Sequence, residues 1–350
     1  MQSTYKKDDV ILLLKDISGQ LAAQSTEERE WRIQQGGHYS EMLPIEYTPS
    51  PAYMRIYEQA LTQYADLTAS AVKTAAEKIW AKKGDSAVLV SLARAGLPIG
   101  ILIRHYIQKT YAVSLPHYAI SIIRDRGIDH VAMRFLLQNH APEAIQFIDG
   151  WTGKGAILGE LEKEMRRYPS VSPSLAVLAD PAHITDLYGT RRDFLIPSAC
   201  LNATVCGLIS RTVLRTDLIH EGDFHGAVFY ENLREEDRSY DLIHTIESAF
   251  SRAIFLKEAT SPTQNGLDEA KKIAHTFGID DINLIKPGIG ETTRVLLRRV
   301  PHKVLIRSAA GDGKDVEHII QLAEEKHVPI ETYPLQCYRA CGIIQSMRDA

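Results

Sequence analysis

Four short, almost wholly apolar runs recur in the first half of the chain, at residues 87–92, 117–123, 144–148 and 174–180. Segments with helical spacing of apolar residues separate them, and the predicted helices are 98–109, 130–138 and 154–167. Strands that are apolar on both faces and alternate with helices are typical of a parallel sheet covered on each side. The pattern therefore predicts an α/β domain that binds its ligands at the carboxyl ends of the strands.

A long helical pattern precedes the first of these strands. Ser50 is suited to cap its start and Pro51 to occupy its first position, while Gly84 ends it. Nearer the N-terminus, residues 10–17 are interpreted as a short amphipathic helix rather than a signal peptide, because the apolar run is brief and flanked by Asp.

The pattern becomes irregular after Asp180. A helix is predicted around residues 239–257, and the polar, turn-rich stretch 260–268 is the best candidate for a linker. Beyond it the pattern predicts helix, strand, helix, strand and a last short helix, which make a small α/β/α domain. We therefore expect two domains, residues 1–262 and 263–350.

Composition limits the class of function. The chain has 350 residues and a formal net charge of −4, so any surface that attracts nucleic acid or anionic lipid must be local. No apolar stretch is long enough to span a membrane, and the four cysteines are expected to be reduced thiols of a cytoplasmic protein.

The stretch FIDGWTGKG, residues 147–155, carries one carboxylate and a glycine-rich turn from a predicted strand to the start of a helix. Backbone N–H groups in the first turn of a helix attract anions, and Gly153 and Gly155 let a bulky anion approach. Residues 152–155 are therefore a candidate phosphate cradle, and Asp149 suits the hydroxyl pair of a ribose. The alternative is a strand–turn–helix junction that needs glycine only for its geometry.

Two more strand ends carry residues suited to anions. Residues 93–96 form a tight loop of small residues around Arg94, whose guanidinium can contact phosphate oxygens in pairs. Residues 124–127 place two arginines around a carboxylate. This last loop suits either closure over an anionic leaving group or a solvated turn.

The three strand ends resemble those of type I phosphoribosyltransferases, in which such loops bind the ribose 5-phosphate and pyrophosphate of phosphoribosyl pyrophosphate. Ile148 stands where that family has the first of two acids, and the turn reads Thr-Gly-Lys-Gly. The resemblance implies catalytic roles for Asp149 and Arg94. It also implies that phosphoribosyl pyrophosphate binds Gly150, Trp151, Thr152, Gly153, Lys154, Gly155, Ala95, Gly96, Arg124 and Arg126.

Three segments make the chain similar to a narrower family: DGWTGKG, HYSEMLP (38–44) and IPSACLNATVCGLISRTVL (196–214). This family comprises phosphoribosyltransferase-like proteins of tellurium-resistance stress operons with a Pelota-like C-terminal domain. The resemblance implies a transferase whose Mg²⁺ is held through substrate phosphates rather than by a protein metal site. An unidentified base-like acceptor would lie under a hood built from residues 38–44 and 180–230, with Asp180 as a candidate contact or a helix cap. We also expect a homo-oligomer.

Two other functions stay open. The missing acid at Ile148 favours a nucleotide- or RNA-binding stress protein that only senses phosphoribosyl pyrophosphate. Members of the narrower family also carry a cysteine protease label, for which Cys200 would be the nucleophile and His220 or His225 the base. The apolar surroundings of Cys200 and Cys206 favour packing instead, and the two histidines favour a polar turn over a metal site.

A basic patch stands out near the C-terminus. Arg294 and Arg298 are four residues apart on one predicted helical face, which indicates either a nucleic-acid contact or a solvated helix face. The sequence GIGETTR at the helix start is similar to the Pelota and ribosomal L7Ae-like fold. That resemblance implies that structured RNA binds Gly290, Glu291, Thr292, Arg294 and Arg298.

Overall fold

The computed structural model describes residues 1–257, 265–307 and 309–345. Its helices are α1 (Thr26–Gln34), α2 (Pro51–Lys83), α3 (Gly96–Tyr111), α4 (His130–Asn139), α5 (Ala156–Met165), α6 (Ser239–Ser248), α7 (Gly266–Thr276), α8 (Ile289–Arg298) and α9 (Ala309–Glu325). The strands of its N-terminal part are β1 (Ile11–Leu12), β2 (Lys15–Asp16), β3 (Ala23–Gln24), β4 (Leu43–Pro44), β5 (Val88–Ala93), β6 (His117–Ile123), β7 (Gly127–Ile128), β8 (Ile145–Ile148), β9 (Leu175–Ala179), β10 (Leu187–Thr190) and β11 (Gly226–Ala227). The C-terminal strands are β12 (Ile285–Pro287), β13 (Pro301–Ile306), β14 (Ile330–Thr332) and β15 (Ala340–Ile344).

The central sheet has the strand order β1-β6-β5-β8-β9-β10, and all of these pairs are parallel. Strands β5, β6, β8 and β9 are buried nearly throughout, since helices cover both faces. The short strand β7 turns back and pairs antiparallel with β6. The predicted α/β fold with a parallel central sheet is therefore confirmed.

The long helix before the sheet begins and ends where the sequence indicates. The side chain of Ser50 accepts a hydrogen bond from the backbone N–H of Tyr53, Pro51 takes the first position, and Gly84 ends the helix. Helix α2 packs on β9, β10 and α3, which explains its fully buried alanine-rich middle.

The helix predicted at residues 10–17 is wrong. This segment forms β1 and β2, and Ile11 of β1 lies opposite Tyr118 of β6 at the edge of the central sheet. Pairing with an existing sheet edge outweighs the local helical periodicity of so short a run.

The C-terminal part carries its own sheet, in the order β12-β15-β13-β14. Strand β15 occupies the place of the last short helix that the sequence pattern predicts, because the apolar run 340–344 pairs on both of its sides. The separate C-terminal domain with a sheet is confirmed. Its predicted boundary, between residues 262 and 263, lies outside the described residues and stays a prediction.

Helix α8 joins the two sheets into one packed body. Ile289 and Leu296 of this helix belong to the same buried apolar cluster as Ile196 and Ala199 of the N-terminal part. Across the described residues, no helix is both long enough and apolar enough to cross a bilayer.

Candidate functional site

The carboxyl ends of β5, β6 and β8 lie side by side, because these strands are neighbours in the sheet. The loops after β5 and β8 approach so closely that a Cβ atom at Gly96 would lie 2.4 Å from the carbonyl oxygen of Ile148. Only glycine fits there. The structure thereby brings Arg94 and Asp149 to the same edge of the sheet, as the sequence predicts.

Asp149 is a half-buried residue whose carboxyl group has few polar partners. It accepts a hydrogen bond of 2.8 Å from the backbone N–H of Gly150. Burial raises the pKa of Asp149 to about 7, and the nearby charge of Arg294 on α8 only partly offsets that rise. The group therefore exchanges its proton near neutral pH.

The predicted phosphate cradle, residues 152–155, is engaged in contacts within the chain. Thr152 donates its hydroxyl hydrogen to Asp180 over 2.5 Å, and Lys154 donates to the carbonyl oxygens of Ile282 and Ile285, the latter at 3.0 Å. Burial lowers the pKa of Lys154 to about 7, and the charge of Lys286 adds to the effect. The cradle thus forms part of the contact between the two domains.

The predicted arginines of the other two strand ends also bind protein groups. Arg94 donates to the carbonyl oxygen of Ile209 at 3.0 Å. Arg124 donates to the side-chain oxygen of Asn283 at 3.0 Å, which ties the loop after β6 to the C-terminal domain. Arg126 forms an ion pair of 2.7 Å with Glu41.

The start of α8 faces the N-terminal domain and not an open surface. Thr292 is fully buried, and a Cβ atom at Gly290 would lie 3.3 Å from the side chain of Ala199. The guanidinium of Arg294 lies 5.6 Å from the ring centre of Trp151 and 3.6 Å from Glu291. The residues predicted to bind RNA therefore lie in the interdomain contact, where the apolar face of α8 holds them.

Arg298 of α8 contacts the N-terminal domain directly. Its Nη2 donates to the carbonyl oxygen of Cys200 at 2.7 Å. The Cys200 thiol is wholly buried, and burial raises its pKa to about 12 although the charge of Arg298 acts against the rise. Burial likewise raises the pKa of the Cys206 thiol to about 11, against the charges of Arg94, Arg294 and Arg298.

The structure does not pair Cys200 with either predicted histidine. His225 shares a hydrogen bond of 2.9 Å with the hydroxyl of Ser121, and its backbone N–H donates to Asp129. The backbone N–H of His220 donates to Asp223 in a turn. Among the hydrogen bonds of the described residues, none joins Cys200 to a histidine.

Two groups at this site were not predicted from the sequence. Arg211 lies close enough to Arg29, Arg94 and Arg299 for their charges to act on it, and Lys286 lies near Glu291. Arg211 follows an irregular, apolar stretch without periodicity, so only its place within the predicted hood, residues 180–230, could have drawn attention to it.

The space left between the domains is small. A cavity of about 10 Å³ lies between the loop after β8, with Trp151 and Thr152, and the start of α8, with Gly290 and Glu291. A cavity of this size holds about one water molecule. Within the described ranges, no three His, Cys, Asp or Glu side chains cluster as a metal site, so the expected Mg²⁺ stays a prediction without a set of protein ligands.

The chain matches two family models and one known protein. Residues 3–247 match the model of a family described as tellurite-like stress resistance cysteine protease StiP, and residues 264–346 match the PELOTA RNA binding domain. The chain is 34% identical over 365 residues to the cysteine protease StiP of Acinetobacter baylyi. The alignment covers 98% of this chain and 94% of that protein.

One solved structure also shares a weak likeness. It is the xanthine-guanine-hypoxanthine phosphoribosyltransferase of Helicobacter pylori, at 15% identity and a TM-score of 0.24, over 33% of this chain and 72% of that chain. So slight a likeness does not inform the function.

The predicted function, a Mg²⁺-dependent phosphoribosyltransferase, is wrong. The family that matches residues 3–247 and the relative that matches nearly the whole chain are both described as cysteine proteases. The predicted stress-response role and the Pelota-like C-terminal domain agree with the same comparisons. No comparison tests the roles predicted for single residues, which stay predictions.

Proposed function

The chain belongs to the StiP family of tellurite-like stress resistance cysteine proteases, and we propose that it is a thiol-dependent peptidase whose nucleophile is Cys206. One observation carries the choice of Cys206: three guanidiniums, those of Arg94, Arg294 and Arg298, act on this thiol from both domains, against the single nearby carboxylate of Glu46. A cysteine attacks as its thiolate, and neighbouring cations favour that form.

Two other described cysteines, Cys337 and Cys200, have less favourable surroundings. The Cys337 thiol is buried beside the carboxylate of Glu269, and both burial and that negative charge raise its pKa, to about 12. Cys200 has the charge of one arginine, Arg298, acting on it. Of these three thiols, Cys206 therefore has the most cationic neighbourhood.

The thiol of Cys206 is covered in this structure, since the residue is only 4% exposed. Desolvation is the largest cause of its raised pKa, so exposure of the thiol would lower the pKa while Arg94, on the N-terminal domain, stays beside it. We therefore propose that the segments covering the Cys206 thiol move away from it, and that this movement activates the enzyme.

Hydrolysis of casein and of a fluorogenic peptide library by the full chain tests this function. We expect Cys206→Ser to lose at least about 100-fold in rate, as loss of a nucleophile does, while Cys200→Ser and Cys337→Ser stay within about twofold of the wild type. Loss of activity in Cys200→Ser alone would overturn the choice of nucleophile. No hydrolysis by any variant, including one with weakened domain contacts, would overturn the peptidase.

RNA binding by the C-terminal domain is a second proposed function, which the PELOTA match over residues 264–346 favours. Since α8 is covered, we place the contact on the exposed face of α7, where Lys271, Lys272 and His275 point to solvent. A gel shift with a structured RNA tests it. Lys271→Glu with Lys272→Glu should weaken binding at least about tenfold, and the exposed Lys326→Glu should not.

A further inference from the structure

A second cavity lies in the N-terminal domain, between the C-terminal half of α3 and the end of α6. Its volume is about 300 Å³, and the side chains that line it are His105, Gln108, Lys109, Glu247 and Phe250. Helix α3 starts at the carboxyl end of β5 with Gly96, and Lys109 lies about 20 Å further along the helix axis. The cavity is therefore separate from the interdomain site.

We propose that this cavity binds a small zwitterion, namely an α-amino acid with a large apolar side chain. The ammonium group of the ligand binds Glu247, and its carboxylate binds Lys109 and Gln108. Its side chain lies against the ring of Phe250. The site does not depend on the peptidase.

A network of hydrogen bonds holds Glu247 in place at the cavity. His105 bonds Oε1 of Glu247 through its Nδ1 and Oδ1 of Asp9 through its Nε2, the latter at 2.8 Å. Tyr240 donates its hydroxyl hydrogen to the other carboxylate oxygen of Asp9. Burial lowers the pKa of His105, but the hydrogen bonds to Asp9 and Glu247 outweigh burial and raise it to about 9. The imidazole is therefore charged at neutral pH and donates from both nitrogens.

The network leaves one carboxylate oxygen of Glu247 for a ligand. The side chain of Glu247 is 27% exposed, and among the described residues no hydrogen bond reaches its Oε2 atom. His105 cannot move this carboxylate aside, because its other nitrogen is bound to Asp9. An ammonium group is a suitable donor to a carboxylate oxygen fixed in this way.

Donors on α3 supply the opposite charge. Lys109 lies one helical turn after His105, about 6 Å along the helix axis. Gln108 and Lys109 are exposed, and in the described part of the chain neither side chain has a hydrogen-bond or ion-pair partner. An ammonium and an amide group side by side suit the two oxygens of a ligand carboxylate.

Phe250 supplies the apolar part of the cavity. Its ring packs edge-on against Tyr106, with 5.4 Å between the ring centres, which fixes its orientation. The Nζ atom of Lys109 lies 5.9 Å from the centre of the Phe250 ring, so the ring and the ammonium group face the same space. A ligand that binds Lys109 therefore brings its side chain to this ring.

Size and charge together select a zwitterion. A water molecule takes about 30 Å³, so the cavity has room for about ten waters, or for a ligand of similar size such as one amino acid. An anion alone would leave Oε2 of Glu247 without a donor, and a cation alone would meet the charge of Lys109. Only a ligand with both charges satisfies the two ends of the cavity.

Saturation-transfer NMR titration of the full chain with L-phenylalanine tests the site. We expect saturable binding with a Kd of about 1 mM, which is reasonable for a ligand of about twelve non-hydrogen atoms in an open cavity. Phenethylamine lacks the carboxylate and hydrocinnamate lacks the ammonium group, so each should bind at least about tenfold more weakly. Equal affinity of either analogue and phenylalanine would overturn the proposal.

Substitution of an exposed residue locates the bound ligand. Lys109→Met removes the charge and keeps the apolar stem, so phenylalanine should bind at least about tenfold more weakly. Lys82→Met is the matched control, because Lys82 is an exposed lysine of α2 outside the cavity, and its affinity should stay within about twofold of the wild type. Thermal unfolding shows that both variants are folded. No saturable binding up to about 10 mM, ten times the expected Kd, or equal affinity of Lys109→Met and the wild type, would overturn the proposal.

Discussion

Asp193 of the N-terminal domain caps a helix of the C-terminal domain: its carboxylate accepts a hydrogen bond of 2.9 Å from the backbone N–H of Ile289, the first residue of α8. Gly288, at the cap position, has no side chain to do this. The same carboxylate accepts the backbone N–H of Arg339 at 2.9 Å. Asp193 thus holds α8, with Arg294 and Arg298, against the strand ends.

Loss of this cap should loosen the C-terminal domain. Asp193→Ala removes an N-cap acceptor, so we expect a loss of about 1–2 kcal/mol in stability and faster amide exchange along α8. Thermal unfolding and hydrogen exchange measure the two effects. Asp193→Asn should retain part of the cap, and the exposed Asp186→Ala serves as the control. Unchanged exchange along α8 would contradict the role of Asp193.

Asp149 should make stability fall as pH rises. Burial raises its pKa from an ordinary value of 3.8 to about 7, so the folded state favours the protonated form. The contribution of Asp149 to the free energy of unfolding is fully present below the unfolded pKa of 3.8. It is lost as pH rises through the folded pKa of about 7. We therefore expect Asp149→Asn to match the wild type at about pH 4 and to exceed its stability at about pH 8.

Denaturant unfolding of both proteins across this pH range measures the difference. The Asp149→Asn substitution preserves the local hydrogen bond, because the new amide oxygen can still accept from the backbone N–H of Gly150, whose bond to the native carboxylate is 2.8 Å. Asp186→Asn, on the exposed surface, is the control. Parallel pH curves for the wild type and Asp149→Asn would contradict a buried, proton-exchanging Asp149.

The close approach of two loops should make Gly96 intolerant of a side chain. A Cβ atom there would lie 2.4 Å from a backbone oxygen, that of Ile148, which cannot move aside as a side chain can. We expect Gly96→Ala to destabilise the protein by about 1–3 kcal/mol. Gly153→Ala is the matched control, since nothing lies within 4 Å of its Cβ position. Equal melting temperatures for the two variants would show that the loops are further apart.

The strands of the central sheet can be predicted from the sequence because the apolar residues of each strand show directly that it is buried. Each of β5, β6 and β8 is a largely apolar run, and the turn residues after it mark the strand end. The same reasoning brings Arg94 and Asp149 to one edge of the sheet. A short run predicts its own structure poorly, and the segment 10–17 is strand only through the pairing of β1 with β6 and of β2 with β11.

The interdomain part of the site could not be predicted. Asp193 and Ile289 are 96 residues apart, and only Ile289 stands in a motif, GIGETTR, which says nothing of a partner in the other domain. The basic face of α8 indicates a nucleic-acid contact when the helix is considered alone, but Arg298 binds the carbonyl oxygen of Cys200. The tertiary structure decides which face of a helix packs against another domain. Local periodicity shows only that one face is apolar.

The most direct test of the account is covalent labelling of the full chain by a peptidyl epoxide, a reagent for the nucleophile of thiol peptidases, followed by peptide mapping. The account predicts one modified residue, Cys206, and no labelling in Cys206→Ser. Labelling should be faster in Asp193→Ala, because α8 is then held less tightly over the N-terminal domain. Labelling of Cys337 or Cys341 instead, or equal labelling of all thiols only after unfolding, would contradict it.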